Sequence, residues 1–433
     1  MTPAALQSLL TAACRAGGAD AASLAVRAGG ETVTVAFGAA TQALPFRMGS
    51  IAKSFTAALV HLAVRAGRLD LDRPVAHWLP DLRLADQTAA ARLTARHLLT
   101  HQGGFFGDIF DDEGCAPDAV ARHVARLAMA EQTVPPGTLT SYCNAGIVLA
   151  ARLAEVAFGH DWETLFREVL AGPLGLQSTM ARREATGPEV MITAGDKIPA
   201  GSPALRALGP AGATPYASAA DLVAWAEALW EPPPAGLGLF QVMSAPEVPS
   251  PSPSFALGFG PGLMRFSADA ALWGHDGAVP GQASFLRMAP GRKVGVALML
   301  AGGDARLIAH SVLSPLLLAL ADCTVPAPPD PAGPGLAGPE RRAEIARISG
   351  DWQAPRYHIQ VSPMDGGACL CFRPAADAGD QTESYEVILH PLGQGAFATL
   401  LPGSAIPTIQ QLHTDAEGAE FLAFRGRLFR RAG

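Results

Sequence analysis

At 433 residues, 49% hydrophobic and 16% charged, the chain can form two or three domains with substantial cores and is too apolar to be disordered outside linkers. Its formal net charge is -7 and its basic residues are scattered, which excludes a basic stripe for nucleic acid. The six cysteines (Cys14, Cys115, Cys143, Cys323, Cys369, Cys371) form no C-x-x-C pair and no H-E-x-x-H is present, so buried free thiols are expected and no metal or other cofactor.

The opening MTPAALQSLLTAACRAGG reads as a short helix capped by Thr2 with Pro3 in its first turn, not as a secretory leader. No apolar run reaches the roughly 18 residues of a membrane span, and a cytoplasmic location is expected. ASLAVRAGGETVTVAFG then alternates around Gly29-Gly30 as a β-hairpin does. A helix follows, with Ile51, Phe55, Leu59 and Leu62 at helical spacing and Gly67 as its stop. From about residue 69 to 240 the signals are mostly helical, with Thr94 as one cap; ALWGHDG, QASFLRMAP and KVGVALMLAGG read as antiparallel strands. Residues 324–340 are rich in Pro and Gly and read as a linker between a catalytic part, 1–323, and a small all-β part, 341–433. Helical patterning fades beyond this linker, and short alternating runs such as YHIQVS and FLAFRGRL take over.

Only three of the 32 basic residues are lysines, at positions 53, 197 and 293. Lys53 alone has a serine three residues before it, Ser50, at the head of an apolar helix. Positions i and i+3 share a helix face. A serine hydroxyl is a weak nucleophile until a base takes its proton, and a buried lysine can be that base where arginine, always charged, cannot. Bringing a lysine from about 10.4 to near 7 or 8 takes about 4 kcal/mol of differential environment, within reach of an apolar helix start. A capping serine followed by a solvated lysine is the plainer alternative.

A second constellation is SYCNAGIVLAARL, which holds Tyr142 and the chain's single asparagine, Asn144. A phenol can relay a proton and an amide can hold a lysine or a substrate carbonyl; a helix cap would equally explain Asn144. The third is WGHDGAVPG, where His275 is titratable on a strand edge and Gly277 permits close backbone approach.

In order, S-x-x-K, Y-x-N and H-x-G resemble the serine β-lactamase and penicillin-binding-protein superfamily, in particular its class C-like branch of esterases, D-aminopeptidases and related acyltransferases. TARHLLTHQGG at 94–104 and LGPAGATPYASAADLVAWAEAL at 208–229 add to the resemblance, which spans roughly residues 5–320. It implies an α/β (α+β) β-lactamase/DD-peptidase-like fold, an antiparallel sheet flanked by helices with an all-helical subdomain. The C-terminal part resembles the lipocalin-like, small antiparallel β-barrel module of some members. Carried over, Ser50 is the acylated nucleophile, Lys53 its base, Tyr142 the proton shuttle, and Asn144 the residue orienting Lys53 and the substrate amide. His275 stands where many relatives have lysine, and the N–H groups of Ser50 and Ala278 form the oxyanion hole.

Histidine at the third motif is largely neutral at pH 7, which argues against efficient β-lactam hydrolysis. FRGRLFRRAG near the C-terminus offers Arg427 as a carboxylate clamp, against a solvated tail as the alternative. The loop GGFFGDIFDDEGCAP offers Phe105 and Phe106, with Gly277, as substrate-binding residues; His97 and His101 read as structural. The expected substrate is a small-molecule or peptide acyl group, with a thioester or carrier-protein-bound one among the candidates. Three outcomes stay open: a hydrolase or acyltransferase on esters or amides, a free-standing penicillin-binding-protein-type thioesterase that macrocyclises a peptidyl thioester, and a sensor or scaffold that does not turn over.

Overall fold

The computed structural model describes residues 2–111, 113–181, 203–269, 271–331, 336, 338–375 and 383–432. Lys197 and part of the Pro/Gly-rich stretch 324–340 lie outside them. Helix α1 (Pro3–Gly17) is capped as its sequence indicates: the Thr2 hydroxyl accepts the Ala5 N–H. The hairpin β1 (Ala21–Ala28) and β2 (Glu31–Gly38) turns at Gly29-Gly30, whose φ angles of 60° and 85° suit glycine. Strand β3 (Phe46–Arg47), paired with β4 (Tyr216–Ala217), leads into α2 (Ala52–Arg65).

The helical layer contains α3 (Gln87–Arg92), α4 (Ala95–Leu99), α5 (Ala119–Arg126), α6 (Asn144–Phe158), α7 (Trp162–Leu165), α8 (Ala219–Trp230) and α9 (Phe240–Ser244). Thr94 and His97 close a reciprocal capping box at the start of α4. Short strands β5 (Val248–Pro249), β6 (Gly258–Phe259) and β7 (Met264–Arg265) precede the long β8 (Trp273–Val279), β9 (Gln282–Ala289) and β10 (Val294–Ala301). They join one antiparallel sheet in the order β2-β1-β10-β9-β8-β7-β6-β5.

Strand β10 shows why this sheet is buried on both faces. Val296, Leu298 and Leu300 pack with Leu6 and Leu10 of α1 and with Ile308, Val312 and Leu316 of α10 (Ala305–Ala321). The alternate residues Ala297, Met299 and Ala301 face the opposite core of α2, α6 and α8. The period of two thus serves two cores at once. Helix α2 is more deeply buried than an amphipathic pattern implies, since Lys53, Ser54, Thr56 and His61 are buried with the apolar residues. Its polar groups are satisfied: Trp225 Nε1 donates to Ser54 Oγ at 3.0 Å and Trp162 Nε1 to Thr56 Oγ1 at 3.0 Å.

Helix α11 (Gly338–Ile348) begins within the last residues of the Pro/Gly-rich stretch and runs past it, where the sequence raises no helical expectation. Only Ile345 and Ile348 of this charged segment are buried, too few to register as periodicity. Eight strands then close an antiparallel barrel: β11 (Gly350–Ala354), β12 (Tyr357–Met364), β13 (Gly367–Pro374), β14 (Tyr385–Gly393), β15 (Ala396–Thr399), β16 (Thr408–Thr414), β17 (Glu420–Phe424) and β18 (Arg427–Arg431). Trp352, Leu370, Leu389 and Phe397 are fully buried in its own core.

The barrel docks on the larger part through Phe421, Ala423 and Leu428, which pack on Val134 and Leu139. Tyr142 N–H donates to the Gly426 carbonyl at 2.8 Å, Leu428 N–H to Ser141 Oγ at 3.2 Å, and Ile409 N–H to Ser254 Oγ at 2.8 Å. Among the described residues no helix is long and apolar enough to cross a membrane. Of the six free cysteines, Cys14, Cys143 and Cys323 are buried as expected, whereas Cys115 is exposed and Cys369 and Cys371 are half-buried. Replacing Leu298 by Ala, at the centre of the sheet, should cost about 2 to 5 kcal/mol, readable as a lowered urea midpoint with an unchanged slope.

Candidate active site

Ser50 sits on a single 3₁₀ turn, Gly49–Ile51, immediately before α2. Gly49 has φ of 51°, and a Cβ there would lie 2.7 Å from Ala278 N. A Cβ on Gly277 would lie 2.2 Å from the Met48 carbonyl oxygen and 2.9 Å from Ser50 N. These two glycines let the turn and strand β8 approach closely enough to set the N–H groups of Ser50 and Ala278 side by side.

Lys53 is one helical turn on. Its Nζ lies 2.8 Å from Ser50 Oγ and donates to the Ala211 carbonyl at 2.6 Å. The side chain is 2% exposed. Burial first, and the Arg427 charge second, hold its pKa well below the ordinary lysine range, with Asp108 opposing. Tyr142 is the other polar side chain here, interacting electrostatically with Ser50, and Lys53 Nζ is 4.8 Å from its ring centroid. Burial raises the Tyr142 phenol well above its ordinary value. The same desolvation therefore pushes an amine and a phenol towards their neutral forms, one ready to accept a proton and the other to donate one.

His275 is 3% exposed and lines a cavity with Lys53, Leu99, His101, Phe259 and Leu263. Its Nδ1 is 2.7 Å from the Asp276 carbonyl oxygen, which can only accept, so Nδ1 carries the proton and Nε2 a lone pair. Burial and the Lys53 charge lower its pKa to about 3. The neighbouring Asp276 carboxylate offers no rescue, because Arg287 engages both its oxygens. His275 is a neutral ring at the third motif, in keeping with the sequence argument.

Asn144 is placed differently from the expectation. Its Nδ2 donates to Asp108 Oδ1 at 2.9 Å, Lys53 donates to Ser50 and Ala211 and not to the Asn144 carbonyl, and the cap of α6 is Cys143, whose Sγ accepts the Gly146 N–H. Arg427 arrives from the barrel: its Nε donates to Asp108 Oδ2 at 2.9 Å, and its Cζ is 5.2 Å from the Tyr142 ring centroid. The solvated-tail alternative is thereby corrected, since Arg427 opens strand β18 and faces the site. Phe105 and Phe106 do not line the cavity. Phe105 is 3% exposed in the main core, and Phe106 packs towards Tyr357 of the barrel at 6.1 Å between centroids. The loop's contribution is its acid, Asp108, not its aromatics.

Two residues here escape sequence reasoning. Asp108 is 6% exposed in its side chain and is 319 residues from its arginine, so no spacing rule marks it. His101, read as structural, holds the left-handed φ of 59° and lies 4.4 Å from the Tyr142 ring; its Nδ1 accepts the Cys143 N–H at 3.2 Å. It braces Tyr142 rather than merely filling the core.

Three outcomes are expected. Lys53→Arg should reduce the acylation rate by at least about 100-fold, measured as release of p-nitrophenol from an activated ester, because a permanent cation cannot take the Ser50 proton. The wild-type rate should fall as pH drops through the depressed Lys53 pKa, since the neutral amine is the working form, with no inflection from His275 between pH 5 and 8. Gly277→Ala should slow acylation by about 100-fold or more by displacing the Ser50 and Ala278 N–H groups, and stopped-flow burst rates would read this.

Comparison with known proteins bears on the family and the fold. Residues 6–345 match the Beta-lactamase family model. Penicillin-binding protein 4 of Amycolatopsis lactamdurans is 34% identical over 312 residues, covering 66% of this chain and 80% of that protein. Esterase EstB of Burkholderia gladioli is 33% identical over 147 residues, covering 30% of this chain and 37% of the esterase. Among solved structures, SurE superposes with a TM-score of 0.75 at 26% identity over 99% of both chains, barrel included. A D-stereospecific amidohydrolase from Streptomyces sp. gives 0.59 at 25% identity over 72% of this chain and 98% of its own. A family match across most of the chain, on a fold of this topology, makes the protein a member of the beta-lactamase family of serine hydrolases.

Proposed function

We propose that the protein is a serine acyl-enzyme hydrolase or acyltransferase that takes the acyl group of a peptide-like or specialised-metabolite ester or amide onto Ser50. The observation that carries this reading is the buried Lys53 amine 2.8 Å from Ser50 Oγ, with Asp108, the acid that could have paired with it, already engaged by Arg427 and Asn144. In the proposed reaction Lys53 takes the Ser50 proton as Oγ attacks the carbonyl. The N–H groups of Ser50 and Ala278 receive the oxyanion, and Tyr142 passes a proton to the leaving group. For release the relay runs in reverse: the proton of the incoming water or amine is taken up through Tyr142 and Lys53 as it attacks the acyl carbonyl, and a proton is returned to Ser50 Oγ as the ester bond breaks.

Arg427 shapes the choice of acceptor. A guanidinium beside Tyr142, with one edge held by Asp108, leaves donors for the carboxylate of an amino acid or peptide end. Whole-chain likeness to SurE, also solved with D-Leu, supports an amino-acid-like occupant, and the D-stereospecific amidohydrolase supports D configuration. A second reading follows from the same features: the acceptor is the substrate's own amine and the product a macrocyclic peptide, drawn from a thioester donor that a carrier protein could present. The free cysteines fit a reducing, cytoplasmic setting for either reaction.

Intact-protein mass spectrometry tests the proposal with a p-nitrophenyl ester, a D-amino-acid amide, a peptidyl thioester and a penicillin, each with and without added amine. A transient adduct absent from Ser50→Ala is expected with at least one of the first three, together with amide product when amine is present. A persistent adduct would favour a sensor, and no adduct from any donor would refute the acyl-enzyme reading.

A further inference from the structure

Asp108 joins the larger part to the barrel at the site. Its Oδ1 accepts from Asn144 Nδ2 at 2.9 Å and from Arg427 Nη2 at 3.2 Å, and its Oδ2 accepts from Arg427 Nε at 2.9 Å. A carboxylate bound by three donors has no freedom to turn, and it fixes whatever it binds. It takes the Nε–Nη2 edge of Arg427, while Arg427 Nη1 donates to the Arg425 carbonyl at 3.0 Å. The guanidinium plane is thus locked with its Cζ 5.2 Å from the Tyr142 ring centroid, and each Nη keeps one N–H beyond these bonds that a carboxylate could accept.

Resting on the reading of Arg427 as a carboxylate receptor, we infer that Asp108 is a positioning residue that sets acceptor selectivity by orienting Arg427, with Asn144 fixing Asp108 in turn. Asp108 touches neither Ser50 nor the scissile carbonyl in this role. It makes Arg427 a directed fork instead of a mobile cation, so an acceptor carrying a carboxylate at the right distance from its amine is held for attack on the acyl group. Arg427 is also more than a point charge next to an acid: burial works against its charge, and Asp108 more than offsets this.

The test uses the full chain, a p-nitrophenyl ester as donor, and D-leucine or D-leucinamide as competing acceptors, with KM and kcat measured for each. Wild type should prefer D-leucine. Asp108→Asn should raise KM for D-leucine by about 10- to 100-fold and for D-leucinamide by less than about 3-fold, the range seen when a group orienting a binding residue is lost. Asp108→Glu keeps the charge and displaces it by one methylene; it should raise KM for D-leucine alone and by less, which covers failure of Asp108→Asn to fold. Equal changes for both acceptors, no change, or a lower KM for D-leucine would each overturn the inference, the last by making Asp108 a competitor for Arg427. If wild type does not distinguish the two acceptors, or Arg427→Ala keeps the preference, the receptor reading itself fails.

Discussion

Desolvation of a single amine organises this protein. Lys53 is buried within a helix whose other faces are packed by Phe55, Trp225 and Phe166, with Phe55 and Trp225 stacked at 3.8 Å. Burial disfavours the ammonium form, and among the described residues its hydrogen-bond partners are a serine hydroxyl and a backbone carbonyl. The same burial keeps Tyr142 a phenol and His275 a neutral ring. A site of uncharged donors and acceptors results, in which protons can move without a large solvent response. The fold makes that environment by placing a doubly covered sheet on one side of α2 and the helical layer on the other.

The charges that are present have been moved outward and paired. Arg287 takes up Asp276 behind His275, and Arg427 takes up Asp108 at the edge of Tyr142. Each pair cancels a field that would otherwise act on a neutral group in the centre. Lys53 feels Arg427 and Asp108 in opposite senses, so the barrel adjusts the amine's basicity as well as the shape of the crevice.

How much of this could be read in the residues follows from distance along the chain. Ser50 and Lys53 declare themselves within one helical turn, and a lysine stands out in a sequence that otherwise uses arginine. Tyr142, His275 and the glycines are legible because their motifs are short and ordered. The hairpin, the caps at Thr2 and Thr94 and the barrel's alternating runs depend on local pattern, and the structure forms them. What is lost depends on pairing. Asp108 acquires meaning through Arg427 and Asn144 through Asp108, so the resemblance turned Asn144 towards Lys53 and the substrate amide, and the loop's local pattern drew attention to Phe105 and Phe106 instead of its acid. Helix α11 escaped for the opposite reason: it is regular but buries just two isoleucines.

The hairpin joining β17 to β18 has a wider consequence. Its tip offers the Gly426 carbonyl to the Tyr142 backbone N–H, and Ser141 receives Leu428 N–H two residues on. The backbone segment that bears the site's phenol is thus completed by a strand from the other end of the chain, much as an edge strand is completed by its neighbour. Such a barrel is not an interchangeable accessory. An exchange of this module would have to preserve the hairpin's length and register for the Tyr142 N–H to keep its partner, so the fold at the site depends on a segment far along the chain from Ser50.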